Sequence, residues 1–274
     1  MVPLRSGISL SKIKEELQTD FVGRETHHFA EITSTNDVAK ELAAKGAKEG
    51  TLVISETQTL GRGRLGREWA SPEGGLWFSI ILRPKVDPRD APKLTFTAAV
   101  AVARAIREMF NLEAEIKWPN DVLICGKKVC GILTETSIKG EIVDFVVVGV
   151  GINANASLDS FPENLRDTIT SLKEEIKEEI EREEFLCALL EKLEHYYKLF
   201  LQKEFDLILE EWRRLARFLG QYVEVASFDE RIKGLAVDVD QDGALVIKLR
   251  NGTAKRVKEG DLRIQKPPFR REDI

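Results

Sequence analysis

The sequence predicts an α+β fold, in which a mixed sheet with helices is followed by a small β-barrel. Three observations predict it. Strand-like runs at Phe29 to Ile32, Thr51 to Ser55, Leu76 to Leu82, Ala114 to Trp118 and Ile142 to Val150 have helices between or after them, and several end in polar or glycine-rich segments. Phe185, Leu186, Leu189, Leu190, Leu193, Tyr196 and Phe200 recur at helical spacing, which marks core contacts. From Tyr222 the period changes to short alternating strands, with turns at Gln241-Asp242-Gly243 and Asn251-Gly252. Roughly 45 residues of such strands make a barrel of SH3-like size.

Composition narrows the function classes. A chain of 274 residues is long enough for one large domain and a small one. Its formal net charge of −5 argues against a mainly electrostatic nucleic-acid binder. Three cysteines, an odd and sparse count, suit a reducing compartment rather than a disulfide scaffold. There is no apolar run of membrane-spanning length and no signal-peptide core, so the expectation is a soluble, cytoplasmic protein.

In chain order, residues 1–26 are an N-terminal extension with a short serine-capped helix over Lys12 to Gln18. Residues 27–220 form the large domain. Ser34, Thr35, Asn36 and Asp37 precede a helix over Val38 to Lys45. The four serve as caps alone, or three of them, Ser34, Thr35 and Asn36, also hydrogen-bond a neutral polar ligand. Leu94 to Phe110 is a long, Ala-rich, buried helix. Val122 to Ile124 and Val129 to Thr136 form a hairpin, which leaves Lys128 either an exposed turn lysine or a functional one. Cys125 and Cys130 read as hairpin packing residues. Glu163 to Glu184, dominated by Glu from Glu174 onward, reads as a solvated helical segment. His195 falls on the core helix and reads as a satisfied structural histidine. A second helix runs from Phe205 to about Leu219. Residues 221–266 form the barrel, and 267–274 a polar tail.

The most informative stretch is Glu56 to Trp69, E-T-Q-T-L-G-R-G-R-L-G-R-E-W. Glycines let backbone N–H groups approach a ligand, and interleaved arginines supply forked donors for phosphate and carboxylate. The same letters spell the dinucleotide fingerprint G-x-G-x-x-G, but polar residues separate the preceding strand from Gly61. Trp69, Pro72, Gly74 and Gly75 then preclude the helix that the fingerprint needs. No Gly-Lys-Ser/Thr follows, so a Walker loop is excluded too. The stretch reads as a loop that closes over an anionic ligand, its arginines repelling one another until the anion arrives. No Ser-His-Asp or Cys-His arrangement is legible, so covalent catalysis has no candidate.

Ser-Thr-Asn at 34–36, G-R-G-R-L-G-R-E-W at 61–69, K-W-P-N-D at 117–121, K-K-V-C-G-I-L at 127–133 and G-V-G-I-N at 149–153 together closely resemble the biotin–protein ligase family. The resemblance runs from about residue 10 to residue 265. It implies a catalytic domain like that of class II aminoacyl-tRNA synthetases, followed by an SH3-like domain. It also implies a ligase-only type without the N-terminal DNA-binding domain of bifunctional members. The implied chemistry joins biotin and ATP, with Mg²⁺, into biotinyl-5′-AMP and pyrophosphate. Biotin then passes to one lysine of a biotin carboxyl carrier protein. Homodimers are common among relatives, and neither DNA nor membrane is an expected partner.

By the same resemblance, Ser34, Thr35, Asn36 and Gln58 address the ureido ring or the groups beside it. Arg62, Gly63 and Arg64 close over the ligand and neutralise carboxylate and α-phosphate. Lys128 contacts the biotin carboxyl oxygen and the phosphate, and Asp121 orients the arginines through an ion pair. Asn120 is expected to help hold phosphate or Mg²⁺, with no protein cage for the metal. Arg67, Trp69, Asn153 and Arg263 belong to the nucleotide side, Trp69 by stacking and Asn153 at the adenine edge. Leu65 departs from relatives that carry a further arginine there. Rival readings are a lipoate- or octanoate-handling enzyme of the same superfamily and a DNA-binding biotin sensor.

Overall fold

The structure, a computed structural model, describes residues 7–227 and 230–265. Helix α1 (Leu10–Glu16) is capped by the Ser9 hydroxyl, which accepts from Lys12 N at 3.4 Å. There follow β1 (Thr26–Ile32), α2 (Thr35–Ala44), β2 (Leu52–Gln58), β3 (Leu76–Leu82), α3 (Lys93–Phe110), β4 (Ala114–Lys117), β5 (Asp121–Ile124), β6 (Lys127–Lys139) and β7 (Ile142–Ile152). After them come α4 (Glu163–Arg166), α5 (Leu172–Ile176), α6 (Arg182–Leu201) and α7 (Phe205–Leu215). The chain closes with β8 (Tyr222–Ala226), β9 (Arg231–Val239), β10 (Leu245–Lys248), β11 (Ala254–Val257) and β12 (Asp261–Ile264).

The larger sheet has the order β1-β2-β3-β7-β6-β5-β4, with β1 and β2 parallel and all other neighbours antiparallel. Strand β3 lies in its interior, between β2 and the central β7, and all seven of its residues are buried. That explains the continuous run L-W-F-S-I-I-L, since a strand covered on both faces has no reason to alternate. Leu76, Phe78, Ile80 and Leu82 join β7's Val146, Val148, Val150 and Ile152 in the core that takes in α3 and α6. On the opposite face, α2 seats Ala39 and Ala43 on Val53, Ile81, Phe145 and Val147. Further along β7 on this face stand Gly149, under Asn36 of α2, and Gly151, under Trp69, and the functional cavity lies there.

The second sheet is antiparallel, in the order β11-β10-β9-β8-β12. It begins at Tyr222, two residues past Gly220. Its apolar side chains, Val223, Val225, Ala236, Val239, Leu245 and Ile247 among them, join the same buried cluster as α3, α6 and α7. Trp118 Nε1 also donates to Gly243 O at 3.1 Å, tying the end of β4 to a turn of the small sheet.

Four expectations need correction. Residues 163–184 are not one solvated helix. They break into α4, an extended stretch and α5, with Ile169, Thr170, Ser171 and Leu172 buried. The stretch pairs with the hairpin, Lys128 N donating to Thr168 O and Thr170 N to Lys128 O, both at 2.9 Å. Leu165, Ile169, Leu172, Ile176 and Ile180 fall at helical spacing, so the period itself hid the extended break. Cys125 is exposed, at φ 51° in the tight turn, whereas Cys130 is buried and its thiol is pushed up by burial. His195 is exposed, its ring edge-on to Tyr196. Helix α2 starts at Thr35 rather than Val38, because Gln58 Oε1 accepts Thr35 N at 2.7 Å and does the capping that Ser34 does not. The tail over 267–274 lies outside the described residues.

The end of the N-terminal extension is pinned by a buried carboxylate. Glu194 on α6, 4% exposed, accepts from Asp20 N at 2.8 Å and from Phe21 N and Val22 N at 3.0 Å, and Lys198 Nζ lies 2.7 Å away. Burial alone would raise its pKa, but Lys198 and the three backbone donors outweigh burial and hold it at about 2. A carboxylate depressed in the folded state stabilises above its unfolded pKa, and that contribution is lost as pH falls through the folded value. Glu194→Gln is therefore expected to cost about 2 kcal/mol at pH 7, or roughly 4–8 °C in Tm. The gap between the melts of the two proteins should narrow as pH drops from about 5 towards 2. A gap that stayed constant over that window would contradict the assignment.

Candidate active site

The floor of the cavity is made by three glycines on neighbouring strands. Gly131 of β6 pairs with Gly151 of β7, and Leu133 with Gly149. A Cβ on Gly151 would lie 2.4 Å from Trp69 Nε1, and one on Gly131 would lie 2.7 Å from Trp69 Cζ3. The absence of side chains lets the Trp69 ring rest flat on backbone, edge-on to Trp77 with centroids 6.2 Å apart. Trp69 Nε1 is buried there without a partner.

One wall is the start of α2. Ser34, Thr35 and Asn36 line the cavity, and all three are almost fully buried. Ser79 Oγ lies 2.6 Å from Asn36 Oδ1 and 2.8 Å from Thr35 Oγ1. An amide oxygen only accepts, so Ser79 donates to Asn36 and its single proton is spent. Asn36 Nδ2 donates to Glu135 Oε2 at 2.7 Å and to Leu133 O at 3.3 Å. Gln58 is engaged likewise, accepting from Thr35 N and donating to Ser71 Oγ at 2.7 Å. Asn36 and Gln58 thus clamp the start of α2 to the sheet. The hydroxyls of Ser34 and Thr35 are the groups on this wall with capacity left for a ligand.

The roof is the glycine–arginine loop. Gly63 N donates to Arg67 O at 2.7 Å and Trp69 N to Gly61 O at 2.9 Å, which folds the loop back on itself. Leu65 at φ 56° and Gly66 at φ 73° make the reversal. Each loop arginine meets a partner from elsewhere. Arg62 Nε is 2.9 Å from Asp37 Oδ2, and Arg64 Nη1 is 3.3 Å from Asn120 Oδ1. Arg67 makes a forked pair with Asp261 of β12. Sequence reasoning expected these arginines to repel one another until an anion arrives; the fold already supplies carboxylates. Burial pulls the Arg64 guanidinium below its ordinary pKa, opposed by Asp261 and Asp121.

At the far end, Lys128 Nζ lies 2.6 Å from Asp121 Oδ1 and 4.9 Å from the centroid of the Trp69 ring. Asp121 therefore pairs with Lys128 rather than with an arginine. Asn120 Nδ2 donates to Ile132 O at 2.8 Å, which leaves Oδ1 facing the cavity. Among the described residues the lining holds five cations, Arg62, Arg64, Arg67, Lys117 and Lys128, against the carboxylates Glu68, Asp121 and Asp261. The chamber has a polar uncharged end at Ser34 and Thr35, a flat floor, and a cationic end suited to a phosphate or carboxylate.

Of the sequence candidates, Ser34, Thr35, Asn36, Gln58, Arg62, Gly63, Arg64, Arg67, Trp69, Asn120, Asp121 and Lys128 all line this cavity. Asn153 and Arg263 do not. Asn153 is buried, and its Nδ2 donates to Thr170 O at 2.8 Å, stapling the 168–171 segment to the end of β7. Its Oδ1 is buried without a partner. Arg263 is exposed on β12, two residues beyond Asp261 and opposite Glu224. Sequence reasoning missed Ser79, Asp37, Glu135 and Asp261. Ser79 had left a signal, a lone hydroxyl inside an apolar strand.

Residues 28–153 match the Biotin/lipoate A/B protein ligase family, and residues 218–262 match the Biotin protein ligase C terminal domain. The bifunctional ligase/repressor BirA of Bacillus subtilis is 37% identical over 258 residues, 94% of this chain and 79% of that protein. The chain belongs to the biotin protein ligase family. Another relative, the biotin–[acetyl-CoA-carboxylase] ligase of Paracoccus denitrificans, is 33% identical over 80% of this chain and 92% of its own length. A biotin protein ligase from Aquifex aeolicus, solved in complex with biotin and ATP, superposes with a TM-score of 0.76 at 30% identity. The match covers 89% of this chain and all of that one.

Proposed function

We propose that this chain is an ATP-dependent biotin–protein ligase that makes biotinyl-5′-AMP and transfers its biotinyl group to a lysine of a biotin carboxyl carrier protein. The observation that carries the reading is the side-chain-free glycine strip, with the Trp69 ring resting on it, between a neutral polar end and a cluster of cations. A flat bicyclic ligand with a carboxylate tail fits that sequence of surfaces. Ser34 and Thr35 meet the ureido ring, with Asn36 and Gln58 holding them in place.

In the first step a biotin carboxylate oxygen attacks the α-phosphorus of ATP, and the bond to the β-phosphate oxygen breaks, releasing pyrophosphate. Both reactants are anions, so the reaction needs fixed positive charge at their junction. Arg62, Arg64 and Lys128 supply it, and Asp121 aims the Lys128 ammonium. In the second step the neutral amine of the acceptor lysine attacks the acyl carbon and AMP leaves, with one proton released to solvent. No enzyme-bound acyl group forms, and positioning does the rest.

On the nucleotide side, Trp69 leaves the glycine floor to stack on the adenine. The orphaned Oδ1 of Asn153 suits an adenine amino group, and Arg67 and Arg263 serve the phosphates. Asn120, whose Oδ1 faces the cavity, would offer an amide oxygen to a Mg²⁺ bound with ATP, and the metal would supply charge neutralisation at the phosphates. A magnesium ion with one or two protein oxygens and the rest from phosphate and water is its ordinary arrangement.

Residues 27–220 act as the catalytic domain and 221–266 as a barrel docked against it, and the enzyme works as a cytoplasmic homodimer. No helix among the described residues is long and apolar enough to cross a membrane. The net charge of −5 supports a ligase without a DNA-binding role. The test is exchange of labelled pyrophosphate into ATP with biotin, lipoate or octanoate added separately. Stimulation by biotin alone is expected, and stimulation by lipoate or octanoate instead would overturn the reading.

A further inference from the structure

The forked pair between Arg67 and Asp261 joins residues 194 apart in sequence. Both side chains line the cavity, so their contact lies inside the site rather than behind it. Asp261 is surrounded by positive charge. Arg67 holds it directly, Arg64 and Lys117 add to the attraction, and its pKa is lowered, chiefly by the bond to Arg67. Arg67 is raised in turn, chiefly by the same bond. A carboxylate held by one arginine and approached by two further cations occupies the kind of place that a phosphate group would take. Asp261 stands on β12 of the small sheet, while Arg67 stands on the loop that roofs the large one.

We propose that Asp261 is a stand-in anion: in the empty protein its carboxylate takes the phosphate's place on Arg67, docks the 61–69 loop on the small sheet, and yields the guanidinium when phosphate arrives. Asp261 is on this account a positioning residue acting through Arg67. The inference rests on the ligase reading for the identity of the phosphate, though not for the geometry. It also gives the small sheet a direct role at the site, through a side chain that alternation along β12 places two residues before Arg263.

A stand-in and a simple tether predict opposite signs. Removing a like charge from the seat tightens binding of an incoming anion, whereas loosening a tether weakens it. The probe is inorganic pyrophosphate, titrated calorimetrically into the wild-type protein, Asp261→Asn and Asp261→Glu, with thermal melts to confirm folding. Asp261→Asn is expected to bind pyrophosphate about three- to fivefold tighter, the range that an exposed ion pair can supply. Asp261→Glu should behave like wild type. Hydrogen exchange over residues 61–69 should speed up by a similar factor in empty Asp261→Asn, and match wild type once pyrophosphate saturates both. Unchanged or weaker pyrophosphate binding by a folded Asp261→Asn would overturn the proposal, as would loop exchange equal to wild type in the empty proteins. Neither measurement needs turnover. A failure of the ligase reading would appear separately, as wild-type protein without biotin-dependent pyrophosphate exchange.

Discussion

Lys128→Ala is expected to slow biotin-dependent pyrophosphate exchange by about a hundred- to a thousandfold, the loss of about 3–4 kcal/mol that follows removal of a preorganised donor from a developing charge. Lys128 Nζ is held by Asp121 at 2.6 Å and lies over the Trp69 ring, so the ammonium is aimed before substrate arrives. The sequence left open a freely exposed turn lysine, which would be dispensable for stability as well. The structure makes Lys128 28% exposed and paired, so its removal leaves the 19% exposed Asp121 carboxylate uncompensated. A stability loss of about 1 kcal/mol is therefore expected beside the rate loss. The backbone bonds of residue 128 to Thr168 and Thr170 survive the substitution, which keeps the hairpin in place. Exchange rates measured beside melts decide the matter: less than about a threefold loss in a protein with a normal melt would return Lys128 to the bland reading.

What could be read in advance was whatever a local pattern carries. The β3 run, the hairpin at 122–136 and the arginine loop all announce themselves within a dozen residues of chain. So did most of the cavity lining, because the motifs that form it sit at strand ends, where side chains project from the edge of a sheet. The contacts that were missed join distant segments. Asp261 reaches Arg67 only because the small sheet docks against the large one, and no spacing in the sequence encodes that docking. The pairing of Thr168 and Thr170 with Lys128 was hidden by a glutamate-rich stretch whose apolar residues, Leu165 to Ile180, keep a helical interval straight through the extended break. Gln58 and Asn36 were recognised as belonging to the site. Their use as clamps on α2 depends on partners, Ser71, Ser79 and Glu135, that lie on three different segments of the fold.

Gly149→Ala is expected to lower biotin-dependent exchange by about a hundredfold, the effect of an ångström-scale misplacement at a reacting site. The backbone at Gly149 is not in the left-handed region, so alanine meets no conformational penalty there. The conflict is purely spatial. Its Cβ would sit 2.0 Å from Asn36 Oδ1 and 2.8 Å from Asn36 Cγ. Asn36 cannot swing aside cheaply, because Ser79, Glu135 and the Leu133 carbonyl hold its amide from three directions. Displacing it moves the first turn of α2, and with it the Ser34 and Thr35 hydroxyls that the neutral end of the ligand would meet. Overpacking of this kind costs about 1–3 kcal/mol in stability, so the variant should fold with a lowered melt. Gly126→Ala is the contrasting control. A Cβ there meets nothing within 4 Å, and its φ of +77° makes the change one of backbone strain alone. The damage from Gly149→Ala should fall on biotin, with its KM rising steeply while the KM for ATP moves little. Equal rises in both, or exchange within about threefold of wild type, would show that the seating of Asn36 on Gly149 does not set the position of the Ser34 and Thr35 hydroxyls.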